Sequence, residues 1–439
     1  MIIPMFKKEF NFYKNPQYNI EMIYLDNNAT TFMPARVIKA MNEWCNMGNP
    51  SAGYRSAKKS RLMMEEFRQY IGKLCNFESC CIEPRDGRAI QKPDSYKILF
   101  TSGASESNVT IINGVISSYR AVKKRLPHLI VSAIEHKSII DAVNCFVDRG
   151  MASVTYINPR KSGHILASDV EAAILCNTCL ICVMHANNET GAINDIESII
   201  KISHKHKIPV HCDMVQTFGK YPPDVRRLDV DSFSVSFHKF GGPPGVGILV
   251  VKGQFLTGYK LPPLIFGTQN EKLRGGTENL PGIGASFEAF KININNREEK
   301  NKKILTLKKY MITELCKKIK VRSYIDYTGS PVGSDCEIVL LSGLNGYLNN
   351  TILLSLVKYT KPKICNVKIK EGLESKNIII SVGSACNTSS TKASHVLDSM
   401  KADELIKAGA LRISLSEYNT IDHINTFINE FFKIIKKQL

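Results

Sequence analysis

From about residue 97 the chain alternates between short apolar runs and amphipathic stretches. KILFTSG (97–103), HLIVSAI (128–134), SVTYIN (153–158), CLICVMH (179–185), IPVHC (208–212), SFSVSF (232–237) and GVGILVV (245–251) are short and rich in β-branched residues. Runs of that kind predict buried strands. Between them the period is helical. In SIIDAVNCFVDRG, Ile139, Ile140, Val143, Phe146 and Val147 fall on one face, and DIESIIKISHKHK repeats the pattern. This rhythm predicts an α/β layer fold with a largely parallel central sheet.

After about residue 290 the pattern changes. KININNREEKNKKILTLKKYMITELCKKIK (291–320) sets Ile304, Leu307, Met311, Leu315 and Ile319 at helical spacing, and its many lysines read as a solvated face. A weaker mixture of strands and helices follows. The chain closes on DHINTFINEFFKIIKKQL, whose apolar stripe is Ile424, Phe427, Ile428, Phe431 and Ile435. The polar stretch ESCCIEPRDGRAIQKPDSY (78–96) reads as a surface insertion. We expect a large domain over 35–290 and a smaller α+β domain over 291–439, with residues 1–34 packing on the smaller one.

Composition adds bounds. The 439 residues are 44% apolar and 22% charged, enough to bury a substantial core. No apolar run approaches the roughly 18–20 residues of a membrane span. The N-terminal MIIPMFKKEFNFYKNPQYNIEM lacks a signal-peptide core and cleavage site, and it carries acidic residues but no arginine. A cytoplasmic location is the expectation. The excess of 58 basic over 40 acidic residues gives +18, enough to attract polyanions weakly. It is spread along the chain and comes with no nucleic-acid-binding motif. Thirteen cysteines form no disulfide framework and read as reduced thiols. Cys176, Cys179 and Cys182 mimic iron–sulfur spacing. They lie on a predicted strand, however, where residues three apart face opposite sides, so no metal site is expected.

The candidate chemistry sits where predicted strands end, the edge at which open α/β sheets bind ligands. TSGASESN (101–108) puts a glycine at a strand end and Ser-x-Ser at a helix start, which aims amides and hydroxyls at an anion. Asp213 in VHCDMVQ follows an apolar strand and needs a cationic partner if buried. Lys239 in SFHKFGGPPGVG lies at a similar strand end, where a desolvated lysine can form a Schiff base. EHK places His136 at the same edge. An aldehyde cofactor with a phosphate tail, pyridoxal phosphate, would account for the anion site, the lysine and the carboxylate together.

The ordered segments YLDNNATT (24–31), GNPSAGYR (48–55), FTSGASESN (100–108), EHK (135–137), HANNETGAI (185–193), HCDMVQTFGK (211–220), SFHKFGGPPGVG (236–247), RGGTENLPGI (274–283), GSAC…SHVL (383–397) and LRISL (411–415) carry a resemblance. Over most of residues 22–418 the chain resembles the cysteine desulfurases of the NifS/IscS type, within the class V aminotransferase superfamily of pyridoxal phosphate enzymes. The resemblance implies a fold type I transferase. In it, Lys239 would hold the cofactor as a Schiff base and Asp213 would pair with the ring nitrogen. Gln216 would bond the ring hydroxyl, and His136 would stack on the ring and move protons. Ser105, Ser236 and His238 would hold the phosphate, joined by Thr277 from the second subunit of a homodimer. Asn188 and Arg412 would grip the carboxylate of the substrate, L-cysteine.

The resemblance makes Cys386 the nucleophile. Its setting SVGSACNTSST (381–391) is a polar loop that cannot form a core. Its thiolate would take the substrate's sulfur as a persulfide, releasing alanine, and pass it to an acceptor protein for iron–sulfur assembly or tRNA thiolation. His136 is the candidate base beside it. Some positions depart from the family pattern. Ser105 stands in place of threonine, Tyr54 of histidine and Ala57 of glycine, and GGPPG replaces the usual GPKG. The chain also stops at its last helix without the tail that docks an iron–sulfur scaffold, which puts that partner in question. Rival readings are a selenocysteine lyase or another class V enzyme, and a non-catalytic basic homologue that associates with nucleic acid. The second should have lost some of Lys239, Asp213, His136, Cys386 and Arg412, yet all five are present.

Overall fold

The computed structural model describes residues 14–15, 20–78, 95–331, 333–382 and 394–437. Its first strands are short: β1 (Lys14–Asn15) pairs with β2 (Ile20–Glu21), and β3 (Ile23–Tyr24) follows. Seven strands then build the main sheet: β4 (Tyr96–Thr101), β5 (His128–Ser132), β6 (Ser153–Ile157), β7 (Thr178–Cys182), β8 (Val210–Asp213), β9 (Ser232–Ser236) and β10 (Gly247–Lys252). Their spatial order is β4-β10-β9-β8-β7-β5-β6, and every strand but β10 runs the same way. Each predicted strand run corresponds to one of these seven. The sheet is covered on both faces, which is why β5, β7, β8 and β9 are buried throughout and read as continuous apolar runs.

A four-stranded sheet follows: β11 (Val321–Ser323), β12 (Cys336–Leu340), β13 (Thr351–Lys358) and β15 (Ala410–Ser414). The short β14 (Ile378–Ile379) pairs in parallel with β3, so the chain's start lies beside its end. Ile23 and Leu25 join an apolar cluster with Ile304, Leu307, Met311, Leu315, Phe427 and Phe431. A larger cluster runs from the main sheet through Phe67, Phe233 and Phe290 to Val339, Leu353 and Val396, so the two layers share part of one core.

The helices follow the predicted periodicity. In Ile421–Ile435 the buried residues are Ile424, Phe427, Ile428, Phe431 and Ile435, the five of the predicted stripe, and the Thr420 hydroxyl caps the first turn by accepting from His423 N–H. In Arg297–Lys318 the buried apolar residues are Ile304, Leu307, Met311 and Leu315. The lysine-rich face departs from expectation at one point. Lys308 is fully buried, and its amine donates to the carbonyls of Gly343 (2.8 Å) and Leu348 (3.1 Å). The predicted insertion also needs trimming at its end. Tyr96 opens β4 and is buried, its hydroxyl donating to Val230 O (3.0 Å) and its ring packed against Phe77. The rest of that stretch, 79–94, and Cys386 lie outside the described residues.

Cys179 and Cys182 are buried in β7 while Cys176 is exposed, and among the described residues no cluster of side chains could hold a metal ion. No helix among them is long and apolar enough to cross a membrane.

Candidate active site

Because β4, β5, β7, β8 and β9 are parallel, their carboxyl ends lie on one edge of the sheet. The segments leaving that edge carry Ser105, His136, Asn188, Asp213 with Gln216, and Ser236 with His238 and Lys239. Topology alone therefore gathers most of the residues singled out by sequence.

Asp213 is the last residue of β8 and is 5% exposed. Asn108 Nδ2 donates to one carboxylate oxygen (3.2 Å) and Val215 N–H to the other (3.0 Å). Asn108 is itself oriented by His211, whose Nε2 faces Asn108 Oδ1 at 2.9 Å. Burial holds His211 near pKa 3, so the ring is neutral and Nε2 must carry its proton to meet an amide oxygen. The relay His211–Asn108–Asp213 fixes the carboxylate with neutral donors only. A negative charge in that setting calls for a cationic partner.

The anion cradle lies between β4 and β9. Ser236 Oγ accepts from Ala104 N–H (2.9 Å) at the start of the helix Ala104–Lys123. That approach needs glycine opposite. A Cβ on Gly247 would lie 2.6 Å from Gly103 Cα and 2.6 Å from Val235 O. Ser105 is exposed in the first helical turn, where amides have no helical acceptor and the dipole favours negative charge. His238 faces Thr30 Oγ1 through Nδ1 at 3.3 Å, and burial, aided by Lys239 and His136, holds its pKa near 4. His238 is therefore neutral at neutral pH, and Thr30 Oγ1 also donates to its carbonyl at 3.3 Å.

A second group of contacts joins the two sheets. Lys239 Nζ donates to the carbonyls of Asn28 (2.9 Å) and Ala29 (2.8 Å), and Gln216 Nε2 donates to the same Asn28 carbonyl (3.1 Å). The Asn28 side chain donates to Asn188 O (3.1 Å), which also accepts from Arg412 Nη1 (3.2 Å). Arg412, in β15, pairs with Asp26 through Nη2 at 2.7 Å. Its Nε is buried without a hydrogen-bond partner among the described residues. A buried guanidinium N–H left without an acceptor is a place for a carboxylate oxygen.

His136 caps the helix Lys137–Asp148, its Nδ1 accepting from Ser138 N–H (3.1 Å). Nε2 therefore carries the proton in the neutral ring. The ring is exposed on one side, yet its pKa is lowered, chiefly by desolvation, against the opposing pull of Asp213. Its neighbour Glu135 is fully buried and takes the Met184 N–H on Oε1 (2.6 Å). Burial, reinforced by Asp213, pushes its pKa up to about 8, so Glu135 stays protonated at neutral pH.

Two predicted residues stand apart. Thr277 is exposed, and among the described residues no hydrogen bond ties it to the cluster around Lys239. Its loop is anchored by Arg274, which forks onto Glu106 at 2.9 and 3.3 Å. Cys386 lies outside the described residues. The sequence reading also passed over Asp26, Asn28, Asn108 and Glu135, although all four stand in segments that it quoted.

This set of groups fits pyridoxal phosphate: a hydroxyl-lined helix start for a phosphate, a buried carboxylate for the ring nitrogen, and a lysine at the same sheet edge for the aldehyde. Comparison with known proteins agrees. A sequence model of the family "Aminotransferase class-V" matches residues 23–332. The cysteine desulfurase IscS of Dictyoglomus turgidum is 31% identical over 418 residues, covering 94% of this chain and 95% of that protein. A solved NifS-like protein superposes with a TM-score of 0.77 at 29% identity, covering 95% of this chain and all of the other. SspA, solved in complex with cysteine, gives 0.69 at 29% identity over 91% of this chain. The chain belongs to the class V aminotransferase family, among its NifS- and IscS-like cysteine desulfurases.

Proposed function

We propose that this chain is a pyridoxal-phosphate-dependent cysteine desulfurase that converts L-cysteine to L-alanine and carries the sulfur as a persulfide on Cys386. The observation that carries the reading is the hydrogen-bonded path Lys239–Asn28–Asn188–Arg412. It links Lys239, the candidate aldehyde-binding lysine, to Arg412, whose Nε alone lacks a partner among the described residues. L-Cysteine, an amine beside a carboxylate, has the two groups that such a pair would hold, and the solved relative SspA was captured with cysteine.

When bound, pyridoxal phosphate supplies an aldehyde for an amine and a ring that stabilises negative charge beside the substrate's α-carbon. Lys239 would hold the aldehyde end. Asp213 would hold the ring nitrogen, and Gln216 the ring hydroxyl. Ser105, Ser236 and His238 would hold the phosphate, with Thr277 of a second copy completing the site in a homodimer. Arg412 would bind the substrate carboxylate through its free Nε edge, with Asn188 beside it. His136 would hold or release a proton at Nε2. Cys386, as thiolate, would attack the substrate sulfur; the sulfur–sulfur bond would form as the carbon–sulfur bond breaks, its electron pair staying on the β-carbon, which takes up the proton given up by the substrate thiol so that alanine leaves. The terminal sulfur then passes to an acceptor thiol. We take the site to lie between a large domain over 35–290 and a small domain over 291–439, with residues 1–34 on the small one.

The reading is tested by measuring alanine released from L-cysteine by the pyridoxal-phosphate-loaded chain and by its Lys239→Ala and Cys386→Ala variants. Alanine from the parent, lost in both variants, is expected. Alanine production that survives in Cys386→Ala would rule out the persulfide route.

A further inference from the structure

Behind Lys239 lies a small cavity of about 40 Å³, room for a few water molecules. Lys239 and Lys220 both line it, together with Arg297, Lys300 and Glu417. Three basic side chains thus line one small cavity with Lys239, opposed by one carboxylate. Lys300 is taken up by Glu417 at 3.3 Å and by Ile292 O at 2.8 Å. Lys220 has a different attachment. Its amine faces Gln216 Oε1 at 3.4 Å, while Gln216 Nε2 donates to the Asn28 carbonyl that also accepts from Lys239. Lys220 is therefore linked to Lys239 through one amide side chain and one carbonyl. Its backbone is held from the helix Arg297–Lys318, Asn301 Nδ2 donating to Lys220 O at 3.0 Å.

An amine attacks an aldehyde only as the free base, and an isolated lysine at neutral pH is almost wholly protonated. Two amines that line one small cavity each disfavour a proton on the other, as two carboxylates sharing a site do. We propose that Lys220 is a second amine of this site, a positioning group that acts through Lys239 by disfavouring a proton on both and so leaving Lys239 able to capture a carbonyl. The groups that face Lys220 fit this role. Burial lowers its pKa to about 7, with Lys239 and then Arg412 pushing the same way and Glu417 opposing. Lys220 differs from Arg297 and Lys300 in its bond to Gln216, itself a residue expected at the cofactor. No part of the inference requires Lys220 to touch substrate or cofactor.

The inference rests on the reading of Lys239 as the aldehyde-binding lysine, and its test separates the two. The cofactor-stripped chain is mixed with pyridoxal phosphate, and the absorbance of the lysine-bound form is followed from mildly acid to mildly alkaline pH. Lys220→Met and Lys220→Gln, both neutral, should slow capture at neutral pH about tenfold and move the rate profile up by about one pH unit, the size of one lost charge at intermediate dielectric. Lys220→Arg keeps the charge and should retain the parent's rate or exceed it. Thermal unfolding of each variant checks that the fold persists; two neutral side chains of different polarity guard against one failing to fold. Neutral variants with the parent's pH profile would overturn the proposal, as would an arginine variant as slow as they are. Either result would leave the cofactor reading intact, provided that borohydride still fixes the cofactor on Lys239. A parent chain that never captures the aldehyde would sink both.

Discussion

Asp213 and Arg412 are buried to the same degree, each 5% exposed, yet the two sheets hold them differently. Asp213 ends a strand of the main sheet and is met by two neutral donors, so its charge is oriented but not balanced. Arg412 lies in the second sheet, and its charge is balanced by Asp26, but one edge of its fork is left without a partner. The difference says what each site awaits. An oriented, unbalanced carboxylate suits a cationic ring nitrogen. A balanced guanidinium with a spare edge suits a ligand that arrives and leaves, as a substrate carboxylate must. Burying either group has a cost that the fold alone does not recover, and on the proposed function a ligand would complete each.

The comparison breaks first at Asp213. Replacing it with Asn keeps the shape and removes the charge. We expect turnover of L-cysteine to fall about 1000-fold, the size of losing a preorganised electrostatic partner, with the folded content by circular dichroism unchanged. An Asn variant of near-parental activity would mean that orientation, not charge, is what the site needs. Arg412→Lys should have the next largest effect. A lysine cannot span Asp26 and a carboxylate at once, so the KM for L-cysteine should rise about 10- to 100-fold, matching the loss of one charged hydrogen bond, with a smaller change in kcat. A fall in kcat alone would contradict a substrate-binding role.

Lys308 sharpens the contrast because it is a buried charge with no ligand to await. Its pKa is lowered from 10.5 to about 8 by burial. Between those values the unfolded chain binds a proton that the folded chain does not, so stability should rise as pH climbs from about 8 toward 10.5 and be flat below 8. Lys308→Met strands two carbonyls and should cost about 1–3 kcal/mol. In urea unfolding the deficit should be smallest near neutral pH and widen in alkali. A deficit independent of pH would show that Lys308 folds with an ordinary pKa.

Much of this architecture is legible in the sequence. The inner strands β5, β7, β8 and β9 are buried throughout and stand out as apolar runs, and the last helix shows its five-residue stripe because nothing else competes for that face. The strand-end rule places Asp213, Lys239 and His136 on one edge before any coordinates. Long-range pairings escape such a reading. Asp26 and Arg412 are 386 positions apart, and no spacing connects them. Asn28 meets Lys239 and Gln216 through its backbone carbonyl, which sequence patterns do not mark. Lys308 and Lys220 look like two lysines among many; only the surrounding packing makes one a buried clamp and the other a neighbour of Lys239. Cys386, outside the described residues, is singled out only by its polar setting and the family resemblance.

The account's central claim is sulfur transfer to Cys386. The most direct test is to give the pyridoxal-phosphate-loaded chain L-cysteine, trap thiols with an alkylating reagent, and weigh the peptide that holds Cys386. The account predicts the mass of one added sulfur atom on that peptide, formed in step with alanine and absent in Lys239→Ala. Alanine released while Cys386 remains an unmodified thiol throughout would contradict it.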